Sequence, residues 1–119
     1  MIHYWNYPTE IFCGVDALQL LAQRCALAGM RRPLLVTDPG MLELPPLRAV
    51  REHLEAAQVD YALFHGLSSN PSFAEARAGA EVFAAGEHDS LIALGGGSAL
   101  DAAKAIALLS RDPQGLERF

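Results

Sequence analysis

The sequence predicts an α/β domain in which a mostly parallel sheet carries helices on both faces. Three observations lead there. Apolar residues recur at helical spacing in four separate stretches, short apolar or extended runs precede each of them, and the connections are short and rich in Gly, Pro, Asn and Ser. Strands alternating with helices pair in parallel, because each right-handed crossover returns the chain to the same end of the sheet. With 119 residues and 51% hydrophobic side chains, the chain suffices for one such domain or part of one, and it is too rich in core formers to be disordered.

The elements follow in order. Ile2 to Cys13 is an extended stretch and the first predicted strand. From Asp16, a capping residue, Leu18, Leu21, Cys25 and Ala28 fall on one helical face, and Gly29 supplies the stop. Pro33 to Thr37 is a buried strand closed by the turn Asp38-Pro39-Gly40. Pro46 suits the first turn of a second helix, along which Leu47, Val50 and Leu54 form the apolar face while Arg51 and Glu55 pair four residues apart. Val59 to Phe64 is a third strand, followed by a loop from His65 to Pro71. Ser72 and Glu75 make a capping box, and Phe73, Ala76, Ala80 and Phe83 then line a third helix that stops at Gly86. Ser90 to Leu94 is a fourth strand, from which Gly95-Gly96-Gly97-Ser98 leads into an alanine-rich helix from Ala99 to near Leu109.

Composition removes several function classes. Nine Lys and Arg against fourteen Asp and Glu leave a net charge of −5, without the basic surplus that a nucleic-acid backbone requires. No apolar run approaches a membrane span, and the N-terminus shows no leader pattern, so neither nucleic acid nor membrane is an expected partner and the expected location is the cytoplasm. Cys13 and Cys25 fit no zinc or redox spacing and are read as core residues. His3, His53, His65 and His88 are scattered, without H-E-x-x-H spacing, and no Gly-x-Ser-x-Gly elbow occurs.

Ligands of parallel sheets bind beyond the carboxyl ends of the strands, and three features collect there: the Asp38 turn, the Asn70 loop and the Gly95 loop. Backbone N–H groups of a glycine run can approach an anion closely, with a helix N-terminus adding partial positive charge, which suits a pyrophosphate. The same residues also read as a plain strand-to-helix turn, with Ser98 as cap and Asp101 returning a hydrogen bond. The run is neither G-x-G-x-x-G nor a P-loop. Asp38 suits a ribose diol and would repel a 2′-phosphate, selecting NAD over NADP, or it caps its own turn. Asn70-Pro71-Ser72 reads as a ligand loop or a simple helix start, and Lys104 as a phosphate contact or a surface partner of Asp101. On residue types alone this is a nucleotide-binding α/β domain without a visible catalytic centre.

Three segments together resemble the N-terminal part of the iron-containing alcohol dehydrogenases: Leu35 to Gly40, Asn70-Pro71-Ser72, and the stretch Asp89 to Leu108 with its Gly-Gly-Gly-Ser-x-x-Asp-x-x-Lys run. The opening Pro8 to Gly14 is similar to the family's first strand and glycine turn. Asp16, where the family often has Gly, and Ser72, in place of Thr, are departures. The resemblance implies a dehydroquinate synthase-like nucleotide-binding domain over residues 1–119, incomplete at its C-terminal side. Gly95, Gly96, Gly97 and Ser98 would lie at the pyrophosphate, Asp38 at the adenosine ribose and Asn70 near the cofactor. Asp101 and Lys104 match the motif without an assigned role. It further implies an NAD(P)-dependent enzyme interconverting an alcohol and an aldehyde or ketone, with NAD as the expected cofactor. A divalent metal, Fe or Zn, would be held by one Asp and three His of a helical domain absent from this chain, which itself supplies no catalytic residue or metal ligand and is expected to be inactive alone. An unpaired sheet edge left by a missing strand predicts a homo-oligomer. The alternatives are a non-catalytic module for a pyridine nucleotide or another diphosphate, and a relative of the glycerol dehydrogenases or dehydroquinate synthases.

Overall fold

A computed structural model of the protein describes residues 20–68 and 70–111. In chain order it contains α1 (Leu21–Leu27), β1 (Pro33–Val36), a single 3-10 turn (Pro39–Met41), α2 (Pro45–Ala56), β2 (Ala62–Phe64), α3 (Phe73–Ala85), β3 (Ser90–Ala93) and α4 (Gly97–Arg111). The predicted first strand, Ile2 to Cys13, and the Asp16 cap lie outside the described residues. Among these residues no helix is long and apolar enough to cross a membrane.

The three strands form one parallel sheet in the order β2-β1-β3. Leu34 faces Ala62 on one side and Leu91 on the other, and Val36 likewise faces Phe64 and Ala93. All four residues of β1 are buried, as a central parallel strand with both faces covered requires. Alternation along β1 divides the core in two. Leu34 and Val36 pack with Ala76, Ala102 and Ile106 beneath α3 and α4, while Leu35 packs with Cys25, Leu47, Val50 and Leu54 beneath α1 and α2. Helices therefore cover both faces, as the sequence predicts. On the first face α3 and α4 approach closely at Gly79, where a Cβ would stand 2.8 Å from Ile106 Cγ1 and 3.1 Å from Phe64 Cε2.

Local signals explain most boundaries. Pro45 and Pro46 occupy the first turn of α2, where a missing N–H costs nothing. Arg51 Nε lies 3.9 Å from Glu55 Oε2, and the Tyr61 hydroxyl joins the pair, accepting from Arg51 Nε (2.9 Å) and donating to Glu55 Oε2 (2.6 Å). The box at α3 forms, with the Glu75 N–H donating to Ser72 Oγ (3.2 Å).

Three helices end alike. The carbonyls of Cys25, Leu54 and Phe83 accept from Met30, Val59 and His88, and the residue before each donor is left-handed: Gly29 (φ 75°), Gln58 (φ 58°) and Glu87 (φ 54°). Gly86, predicted as the stop of α3, has an ordinary φ of −86°, and the left-handed position falls on Glu87 instead. β2 is also shorter than predicted, because Val59 belongs to the termination of α2.

Asp89 pins the amino ends of β1 and β3. Its Oδ2 accepts from the Arg31 N–H (2.9 Å) and its Oδ1 from the Arg32 N–H (3.0 Å) and the Ser90 hydroxyl (2.8 Å), while His88 Nδ1–H donates to the Arg32 carbonyl (2.9 Å). The Arg31 and Arg32 amides, and then Ser90, hold the Asp89 carboxyl at about 2, below its ordinary 3.8. A lowered folded value stabilises above the unfolded one and is lost as pH falls through the folded one, here from about pH 4 toward 2. Asp89→Asn should therefore flatten the melting temperature against pH over that window, as followed by circular dichroism. An unchanged acid limb would contradict the assignment.

Candidate functional site

The order β2-β1-β3 means that the chain leaves β1 in one direction across the sheet and returns past it in the other, so a crevice opens between the carboxyl ends of β1 and β3. Thr37, fully buried, closes the base of this crevice. Its N–H donates to Phe64 O (3.0 Å), its hydroxyl to Leu94 O (2.7 Å), and the Leu94 N–H donates to Val36 O (2.9 Å). The ends of all three strands are thus tied together directly below the loops that follow.

Asp38 continues extended (φ −99°, ψ 161°) and opens the 3-10 turn, with its carbonyl accepting from Met41. Its side chain makes no capping hydrogen bond there, so the self-capping alternative does not apply. Instead the carboxylate lies between two glycines. A Cβ on Gly40 would stand 3.0 Å from Oδ1, and one on Gly95 would stand 3.1 Å from Oδ2 and 3.0 Å from Ala99 Cβ. Gly95 also has φ +142°, which side-chain-bearing residues rarely adopt. The first glycine of the run is therefore required by the backbone and by Asp38.

Gly96 and Gly97 differ from it. Neither has a positive φ, and a Cβ on either would meet nothing within 4 Å. The helix begins at Gly97, with the Gly96 carbonyl accepting from the Leu100 N–H (3.2 Å). Gly96 is thus the cap residue, and Ser98, which the turn reading placed at the cap, sits inside the first turn. The first N–H groups of a helix carry the positive end of its dipole, and here they belong to Gly97, Ser98 and Ala99.

Two adjoining clefts open over this surface. The first, about 490 Å³, is lined by Asp38, Pro39, Gly40, Leu67, Ser68, Gly96, Gly97 and Ser98. The second, about 440 Å³, is lined by Asn70, Pro71, Ser72, Phe73, Ala76, Ser98, Asp101, Ala102 and Ala105. Ser98 borders both. Of the residues singled out in the sequence, Asp38, Gly95, Gly96, Gly97 and Ser98 form one group and Asn70 and Asp101 face the neighbouring space. Lys104 is exposed on α4 and lines neither cleft. Thr37, predicted only as a strand end, and Ser68, in the predicted loop from His65 to Pro71, are the two residues here that the sequence pattern does not single out. A hydroxyl residue directly before a turn that follows a buried strand was the available sign for Thr37. Cys25 is a core residue whose thiol is pushed up by burial. Among the described residues no three His, Cys, Asp or Glu side chains gather as a metal site.

A family model described as iron-containing alcohol dehydrogenase matches residues 8–119. The chain belongs to the iron-containing alcohol dehydrogenase family. Within that family it is 38% identical over 104 residues to a 4-hydroxybutyrate dehydrogenase of Cupriavidus necator, covering 87% of this chain and 27% of the relative. It is 34% identical over 106 residues to a choline dehydrogenase of Bacillus subtilis, covering 89% and 26%. The crystal structure of a 1,3-propanediol oxidoreductase superposes with a TM-score of 0.79 at 32% identity, over 82% of this chain and 25% of that one. The chain thus spans about a quarter of the length of these relatives.

The glycines of the run should separate in stability measurements. Gly95→Ala forces a strained φ against Ala99 and Asp38 and should cost roughly 1–3 kcal/mol, whereas Gly97→Ala, in open space at the first helical position, should cost nothing. Equal costs in chemical denaturation would contradict this loop geometry.

Proposed function

We propose that residues 1–119 are the nucleotide-binding part of an NAD(P)-dependent alcohol dehydrogenase that interconverts an alcohol and an aldehyde or ketone. The observation that carries the proposal is the open space over Gly96 and Gly97 at the N-terminus of α4, in a cleft walled on its other side by the Asp38 turn. A diphosphate fits the chemistry of that space. Backbone N–H groups at the start of a helix favour an anion, and Cβ atoms at either glycine would occupy the room it needs. Asp38 stands at the far wall as an acceptor for the two hydroxyls of a ribose. Asn70 and Asp101 line the adjoining cleft, into which the rest of a dinucleotide would extend. Bound NAD supplies a nicotinamide ring that takes a hydride from the alcohol carbon. This chain's residues hold and orient it. Among the described residues no donor set fits a metal ion. The metal, the substrate pocket and a helical second domain are ascribed to the longer protein that the relatives represent.

The test is Gly96→Val. A Cβ at this position meets no atom within 4 Å, and the branched side chain is expected to take up the proposed phosphate space, so far-UV circular dichroism should stay native while NADH binding is lost. Unchanged affinity would overturn the diphosphate assignment.

Asp38 also supports a choice between the two nicotinamide dinucleotides. Its carboxylate sits where a 2′-phosphate on the ribose would be repelled, so NAD should be preferred. Asp38→Gly should narrow the difference in calorimetric affinity by roughly 1–3 kcal/mol. An unmodified protein that binds NADP more tightly would overturn this choice.

A further inference from the structure

We propose that Glu75 is a positioning residue for nucleotide binding, its carboxylate fixing Ser68 in the wall of one cleft and Ser72 in the wall of the other. The inference rests on the nucleotide-binding reading above and adds a residue to it. A capping box needs only Ser72 and Glu75, and that exchange is present. The carboxylate does more than the box requires. Its Oε1 accepts the Ser68 N–H, seven residues upstream, and its Oε2 accepts the hydroxyls of Ser68 (3.0 Å) and Ser72 (3.3 Å). Ser68 lines the cleft that holds Asp38 and Gly96, and Ser72 lines the one that holds Asn70 and Asp101. Asn70 therefore lies between two points that one side chain, mounted on the thirteen-residue α3, ties to the same helix.

Leu67 is buried against Ala102 and Ile106, whereas Ser68, Asn70 and Ser72 are exposed. A loop built from exposed polar residues loses binding geometry when its ties are cut, because a ligand must then order it on binding. The Ser68 and Ser72 donors also hold the Glu75 carboxyl below the usual range, so it remains the acceptor this arrangement requires at neutral pH.

Reach and charge can be separated by substitution. Glu75→Asp keeps the negative charge in the first turn of α3 but withdraws the carboxylate by one methylene, out of range of Ser68. Glu75→Gln keeps the reach and loses the charge, since its carbonyl oxygen can take the Ser68 N–H and its NH₂ can donate to the two hydroxyls. NADH affinity and hydrogen exchange are measured in the intact protein for the unmodified form and both variants. Glu75→Asp should weaken NADH binding about tenfold and speed exchange at the Ser68 amide, while Glu75→Gln rescues affinity to within about threefold. A Glu75→Asp protein that binds NADH like the unmodified form overturns the proposal, as does a Glu75→Gln protein weakened as much as Glu75→Asp. An unmodified protein that binds no NADH overturns the nucleotide reading and the positioning role together. The unmodified control thus tells the two failures apart.

Discussion

The parallel pairing of β1 with β3 at the point where the sheet reverses its order is the constraint on which the other features depend. It sets Pro33 to Val36 against Ser90 to Ala93, and both strand ends therefore deliver their loops to one crevice. The Thr37 hydroxyl on the Leu94 carbonyl completes this pairing at its open end, at a position with no access to solvent. A buried hydroxyl left without its acceptor is costly, so the tie is also a fixed distance between the Asp38 turn and the glycine run. Everything proposed for the site uses that distance: the carboxylate against Gly95, and the space over Gly96 and Gly97.

Packing on each face serves the same end. β1 is buried on both sides, and its side chains alternate between the α3–α4 layer and the α1–α2 layer. Gly79 lets α3 lie close against Ile106 of α4, which holds the Asn70 loop beside the start of α4 and so sets the two clefts next to each other. At the opposite end of the strands, Asp89 binds the Arg31 and Arg32 amides, so the β1–β3 pair is pinned at both ends by side-chain hydrogen bonds that neither strand supplies from its own backbone.

Much of this was legible in the residues because the signals are local. Ser72 and Glu75, the Pro46 start, the Arg51–Glu55 spacing and the buried run from Pro33 each act within a few positions, and each appears where the pattern places it. What was not legible depends on contacts distant in sequence. Short, wholly apolar parallel strands carry no label for their neighbours, so the order β2-β1-β3 could not be read. Gln58 and Glu87 take left-handed conformations because the helix ends require one there, although neither residue type announces it. Ser98 falls inside α4, since the Gly96 carbonyl accepts from Leu100 and so takes the cap position two residues earlier. The reach of Glu75 to Ser68 runs backward across a loop, where no periodicity operates. For the site, the glycine run and Asp38 were both visible, but their mutual contact is a consequence of topology, and Lys104 stands away from both clefts.

The crevice between the Asp38 turn and the glycine run is the proposed seat of the diphosphate and adenosine ribose of a nicotinamide dinucleotide. The most direct measurement is a crystal structure of the intact protein grown with NAD. The diphosphate should lie over the backbone N–H groups of Gly96 and Gly97, with the ribose hydroxyls on the Asp38 carboxylate. A dinucleotide bound elsewhere, with this crevice holding only solvent, would contradict it.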